Sequence, residues 1–140
     1  MTLVDTGPLV ALIDKTDKET HRKCHSATYS LSGPMLTSWA CLTEAMYLLG
    51  ELRGWKGQLA LWRYLEKGAL VLHSSGDDEW RRVRELMEQY QDTPMDLADA
   101  SLVVLAEVTG LKRIFTLDSD FYVYKINGKD SFDVVPLDSQ

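Results

Sequence analysis

Residues 93–118 read TPMDLADASLVVLAEVTGLKRIFTLD, and this stretch decides the fold class. Apolar residues from Leu97 to Ala106 recur with helical spacing, and Gly110 supplies the stop that follows a helix running to Thr109. Thr93-Pro94-Met95-Asp96 predicts the start: a hydroxyl cap, proline at the first helical position and an acid at the third. The run Arg113–Leu117 (RIFTL) then reads as a strand that ends directly on Asp118. A helix feeding an apolar strand that closes on an acid is one half of a β-α-β unit.

The same grammar repeats on either side. Thr2–Asp5 (TLVD) is a strand stopped by Thr6-Gly7-Pro8, with Pro8 in the first turn of a helix through Leu9–Ile13. A helix over Glu19–Leu31, broken by Ser32-Gly33-Pro34, precedes a strand at Met35–Thr37. Two helices, Leu42–Leu52 and Gln58–Lys67, flank Gly54 and lead to a strand at Ala69–His73 and an amphipathic helix over Asp77–Gln91. The tail from Tyr122 to Leu137 holds an Asn127-Gly128 turn and an apolar run, Phe132–Val135, suited to a final edge strand. Short strands alternating with helices predict an α/β fold with a mostly parallel sheet, in one domain over residues 1–140.

Composition agrees with this reading. The 140 residues are 45% hydrophobic and 26% charged, with 15 Lys+Arg against 21 Asp+Glu and a net charge of -6. That profile excludes intrinsic disorder and collagen-like repeats. No apolar stretch approaches a bilayer span and no basic-then-apolar leader opens the chain, so a cytoplasmic protein without a membrane anchor is expected. Cys24 and Cys41 stand apart from any C-x-x-C pair, which points to reduced thiols. The acidic balance argues against gripping nucleic acid by bulk charge, though not against a nuclease whose acidic centre holds a cation.

Most acids lie among Lys and Arg on outer faces, but four do not. Asp5 and Asp118 follow apolar strands, and carboxyl ends of strands form the ligand crevice of an open α/β sheet. Asp5 also suits a cap for the helix after it. Glu44, within LTEA, lies near core-marking Leu48 and Leu49 and must reach solvent, pair with a cation or face a polar cleft. Asp99 stands in LADASLVVLA with little solvent-facing helix around it. Asp96 shares its face three residues earlier, as a ligand or as part of a capping box. Thr116 points the same way as Asp118 on the strand, and Asp120 is a ligand or a turn former. Carboxylates converging in one crevice need a cation, and oxygen-only ligation suits Mg2+ or Mn2+, hence metal-assisted phosphodiester hydrolysis.

The ordered set Asp5-Thr6, Glu44 in LTEA, Asp99 in MDLADASLVVLAE and Thr116-Leu117-Asp118 with Phe121 resembles the PIN-domain ribonuclease family over essentially the whole chain. Asp14, Asp17 and His21 are similar to that family's early helical region. The resemblance implies a three-layer α/β/α fold and a Mg2+- or Mn2+-dependent endoribonuclease. Asp5, Glu44, Asp99 and Asp118 would form the acidic metal site, with Thr6 and Thr116 in support and Asp96 and Asp120 as further candidates. It also implies a VapC-like toxin of a toxin–antitoxin pair, with RNA as substrate, a VapB-like antitoxin as partner and a homodimer as the assembly. The competing reading is a non-catalytic RNA- or protein-binding module of the same fold.

Other chemistries find less support. His21, Cys24 and His25 share a helical face, but neither C-x-x-C nor H-E-x-x-H accompanies them. Nucleophile-elbow and phosphate-loop signatures are missing, and the residue two beyond Asp5 is Gly7, where a haloacid dehalogenase-like phosphatase needs aspartate. Arg53, Lys56, Arg63 and Lys67 lie with Trp55 on one helical hairpin, a composition that suits a single RNA strand or a protein interface.

Overall fold

The computed structural model describes residues 1–137; the last three residues of the expected 1–140 domain lie outside the described residues. Four of the five strands of the main sheet, β1 (Thr2–Val4), β2 (Met35–Thr37), β3 (Leu70–Leu72) and β4 (Arg113–Phe115), are only three residues long. With β7 (Asp133–Val134) they form a parallel sheet in the order β3-β2-β1-β4-β7. A separate antiparallel hairpin, β5 (Lys125–Ile126) and β6 (Asp130–Ser131), closes over the Asn127-Gly128 turn. Both turn residues take positive φ, 55° and 67°, as a tight right-twisted hairpin requires.

The helices are α1 (Thr6–Ile13), α2 (Lys18–Thr28), α3 (Trp39–Arg53), α4 (Trp55–Glu66), α5 (Glu79–Gln89) and α6 (Leu97–Thr109). Consecutive strand residues point to opposite faces, and here they sort into two cores. Leu3, Leu36 and Ile114 pack with α5 and α6 through Leu86, Val103 and Leu105. Val4, Met35 and Phe115 pack on the other face with Leu9, Leu49 and Leu61 from α1, α3 and α4. The result is the expected α/β/α sandwich. A sheet buried on both faces also explains why its strands read as unbroken apolar runs.

Most helix starts differ from expectation: α3 begins at Trp39 and α4 at Trp55, each three residues before the expected Leu42 and Gln58, and the starts of α1 and α6 bear on the site. Asp5 caps α1, so that helix begins at Thr6, earlier than Leu9. At α6 the cap is Asp96: its Oδ1 accepts the Asp99 N–H at 2.8 Å, and Asp99 Oδ2 accepts the Asp96 N–H at 3.3 Å. Thr93-Pro94 lies in the preceding turn, where the Thr93 N–H donates to the Tyr90 carbonyl. The reciprocal Asp96/Asp99 bonds satisfy two otherwise orphaned groups at once, and that outcompetes a threonine cap three residues earlier.

Candidate metal centre at the carboxyl edge of the sheet

Asp5 extends the β1–β4 ladder by one bond, its N–H donating to the Phe115 carbonyl at 3.0 Å, and so sits opposite Thr116. The Thr116 hydroxyl donates to Asp5 Oδ2 at 2.7 Å and accepts the Asp118 N–H at 3.0 Å. One buried hydroxyl thereby fixes two acids to each other. Asp5 Oδ1 accepts the Thr6 N–H at 2.8 Å, and Asp118 Oδ1 accepts the Asp120 N–H at 2.9 Å, capping a 3-10 turn over Ser119–Tyr122. The Thr6 hydroxyl donates to the Cys41 carbonyl at 3.4 Å and ties α1 to α3.

Asp99, one turn inside α6, completes the group. Asp5, Asp99 and Asp118 each offer an oxygen within 4.8 Å of the others. Asp5 and Asp99 are only 7% and 6% exposed, and none of the three forms an ion pair with Lys, Arg or His among the described residues. Burial raises both carboxyl pKa values. Asp99 reaches about 7, pushed up by burial and then by the neighbouring Asp96, Asp5 and Asp118 charges. For Asp5 burial outweighs the lowering effect of its bonds from Thr116 and Thr6, and the Asp118 and Glu44 charges add to the rise. Three converging, hard oxygen donors without a protein cation fit a small divalent ion.

The remaining candidates are placed around this trio. Glu44 is exposed on α3 and outside the close cluster, yet its charge acts on Asp5. Asp96 is an exposed cap, and Asp120 is half-buried behind Asp118. Lys56, Arg63 and Lys67 line a cavity of about 470 Å³ with Tyr64 and Ala69. Lys67 also lines a second one with Pro34 and Met35, so this basic region reaches the amino edge of the sheet, opposite the acids. Arg53 ends α3 at the hairpin. The His21 ring bonds the Ala11 carbonyl through Nδ1 at 2.8 Å and Cys24 is a buried free thiol, a packing role in both cases.

Tyr124 was not legible as a site residue. Its hydroxyl donates to Asp99 Oδ2 at 3.2 Å while its ring is held edge-on by Tyr90 and Phe121. The one sequence signal is the Phe121-x-x-Tyr124 spacing, which puts two aromatics on one side of a helical turn.

A family model described as the PIN domain matches residues 2–127. The chain belongs to the PIN domain family. This PIN chain is 30% identical over 135 residues, 96% of its length and 99% of the relative's, to Ribonuclease VapC26 of Mycobacterium tuberculosis (strain ATCC 25618 / H37Rv). Its fold is similar to that of the Mycobacterium tuberculosis toxin VapC20, described as cleaving the sarcin-ricin loop: TM-score 0.81, 18% identity, 97% of this chain and 100% of that one. A toxin–antitoxin complex from Klebsiella pneumoniae is similar at TM-score 0.67 and 20% identity, covering 98% of each chain. The PIN fold thus accounts for the sheet order and for acids gathered at its carboxyl edge.

Proposed function

We propose that the protein is a Mg2+- or Mn2+-dependent endoribonuclease hydrolysing RNA phosphodiester bonds, and the toxin of a VapBC-type pair. The observation that carries this reading is the acidic trio of buried Asp5 and Asp99 with half-buried Asp118, without a cationic partner among the described residues, in a PIN chain related over nearly its whole length to a ribonuclease. Asp5, Asp99 and Asp118 would hold the ion, with Glu44 as a fourth acid at the solvent rim. A bound Mg2+ or Mn2+ supplies Lewis acidity toward a phosphate and makes a nearby water a stronger nucleophile. The chain's own residues position and exclude. Thr116 holds Asp5 and Asp118 in register, the Thr6 N–H donates to Asp5 Oδ1 and fixes that carboxylate, and Tyr124 with the Asp96 backbone fixes the Asp99 rotamer. Asp96 and Asp120 serve as helix and turn partners that add negative potential.

RNA is the substrate in this reading and a VapB-like antitoxin the partner, in keeping with the toxin–antitoxin complex of similar fold. Arg53, Lys56, Arg63 and Lys67 follow α4 from its tip to the far edge of the sheet, so they serve an RNA strand that wraps the molecule. Two buried free thiols fit a reducing cytoplasm, and no helix among the described residues is long and apolar enough to cross a membrane. We also assign a homodimer.

Cleavage of end-labelled RNA pools with Mn2+, Mg2+ or EDTA, beside an Asp5→Asn, Asp99→Asn double variant checked for folding, tests the reading. Cutting that needs the ion and falls at least about 100-fold in the variant is expected. No cutting under any condition, with no ion bound, would make the protein a non-catalytic module.

A further inference from the structure

A cavity of about 360 Å³ opens between the segment after β3 and the first turns of α5 and α6. Its apolar walls are Trp80, Val83, Leu97 and Val104, and its polar lining includes His73 and Asp77. Within it Ser38, which caps α3, and Ser101 join hydroxyls at 2.6 Å. Leu97 and Ser101 stand two residues either side of Asp99 on α6, so cavity and metal centre share the start of one helix. They also share one edge of the sheet: Ser38 and His73 follow β2 and β3, and β3 lies two strands from β1, roughly 10 Å. A dinucleotide covers that span.

The lining chemistry selects the occupant. No lysine or arginine lines the cavity, and the Asp77 and Glu79 carboxylates repel phosphate. Glu79 is engaged inward, facing His73 Nε2 at 3.1 and 3.2 Å and accepting the Gly76 N–H at 2.7 Å. Asp77 has no partner among the described residues and remains a free acceptor. Trp80 and Leu97 leave large apolar surfaces open at the mouth of this cavity, at 59% and 56% exposure. The Arg81 guanidinium lies 4.9 Å from the Trp80 ring centre, outside the cavity lining, and is paired with Asp78 at 3.3 Å, so a cation flanks that ring.

We propose that this cavity is a base-specificity subsite: it takes an unpaired nucleobase next to the cleaved phosphodiester, stacked against Trp80, and Asp77 favours bases that present amino donors over uracil. Carboxylates accept from exocyclic amines, and base-on-aromatic stacking contributes most where the ring is rigid and exposed. The inference rests on the ribonuclease reading.

Trp80→Ala, Trp80→Phe and Asp77→Asn are compared with the natural protein on RNA pools whose cut sites are sequenced. Trp80→Ala is expected to raise KM about tenfold with kcat and Mn2+-dependent thermal stabilisation kept, and Trp80→Phe to restore it. Asp77→Asn is expected to flatten base preference at one position beside the cut. Unchanged KM and base profile in both Trp80→Ala and Asp77→Asn would overturn the subsite, as would a Trp80→Ala whose sole effect is weaker self-association, which marks a protein interface. If the natural protein cuts no RNA, the ribonuclease reading fails by itself. The cavity is then judged by photo-crosslinking of 6-thioguanosine oligoribonucleotides in EDTA: attachment within residues 73–83 supports it, and attachment only elsewhere overturns it.

Discussion

Asp99 carries two opposed demands. As a helix residue it completes a capping box, and as an acid it is buried beside Asp5 and Asp118, which holds its pKa near 7 against an ordinary 3.8. Between those values the folded chain holds a proton that the unfolded chain releases. Stability of the metal-free protein therefore falls as pH rises from about 4 through 7, by on the order of a few kcal/mol. Thermal melts in EDTA at stepped pH should show this decline, and Asp99→Asn should flatten it. Mn2+ at neutral pH should restore the lost stability in the natural protein and not in the variant, because the ion offsets the like charges. A melting temperature that climbs over the same range in EDTA would remove the electrostatic account of the site.

At the scale of elements, the sequence displayed the strands and their acids plainly, because a sheet covered on both faces needs continuous apolar runs and its carboxyl edge needs residues that end them. Element ends were harder to read. Thr93-Pro94-Met95-Asp96 has every local mark of a helix start, yet the structure begins α6 three residues later, where Asp96 and Asp99 exchange bonds. Tyr124 was invisible for a related reason: its partner Asp99 lies 25 residues away, and no local pattern encodes that contact. Glu44 left three options open from its helix neighbours, and the fold leaves it exposed on α3 while its charge still acts on Asp5. The cap separates structure from charge at Asp96. Asp96→Ser keeps a good cap and deletes the negative neighbour, so stability should stay near that of the natural protein while the Asp99 titration, followed by NMR of its carboxyl carbon, moves down. Asp96→Ala removes both and should cost about 1 kcal/mol in chemical denaturation. Equal losses in the two variants would show that the charge, not the cap, governs α6.

At the scale of the whole molecule, a second apolar surface besides the Trp80 face of α5 lies outside both cores. The hairpin of α3 and α4 turns Leu49 and Leu61 inward, while Tyr47, Leu48, Leu52, Trp55 and Trp62 remain exposed. Gly57 lets the two helices meet closely, since a Cβ there would lie 2.8 Å from Arg53 Cβ. A rigid ridge of aromatics and leucine on an acidic chain is costly to leave in water, and Trp and Tyr are favoured at interface centres. If the homodimer forms there, sedimentation velocity should show a concentration-dependent dimer, for which a stable interface needs about 800 Å² per partner. Leu52→Glu with Trp55→Glu should yield a folded monomer, because both side chains are exposed and their removal leaves neither core with a void. A natural protein that stays monomeric at every concentration would instead reserve the ridge for another partner. A double variant that still dimerises would place the contact elsewhere, and the Trp80 face of α5 would be the next surface to substitute.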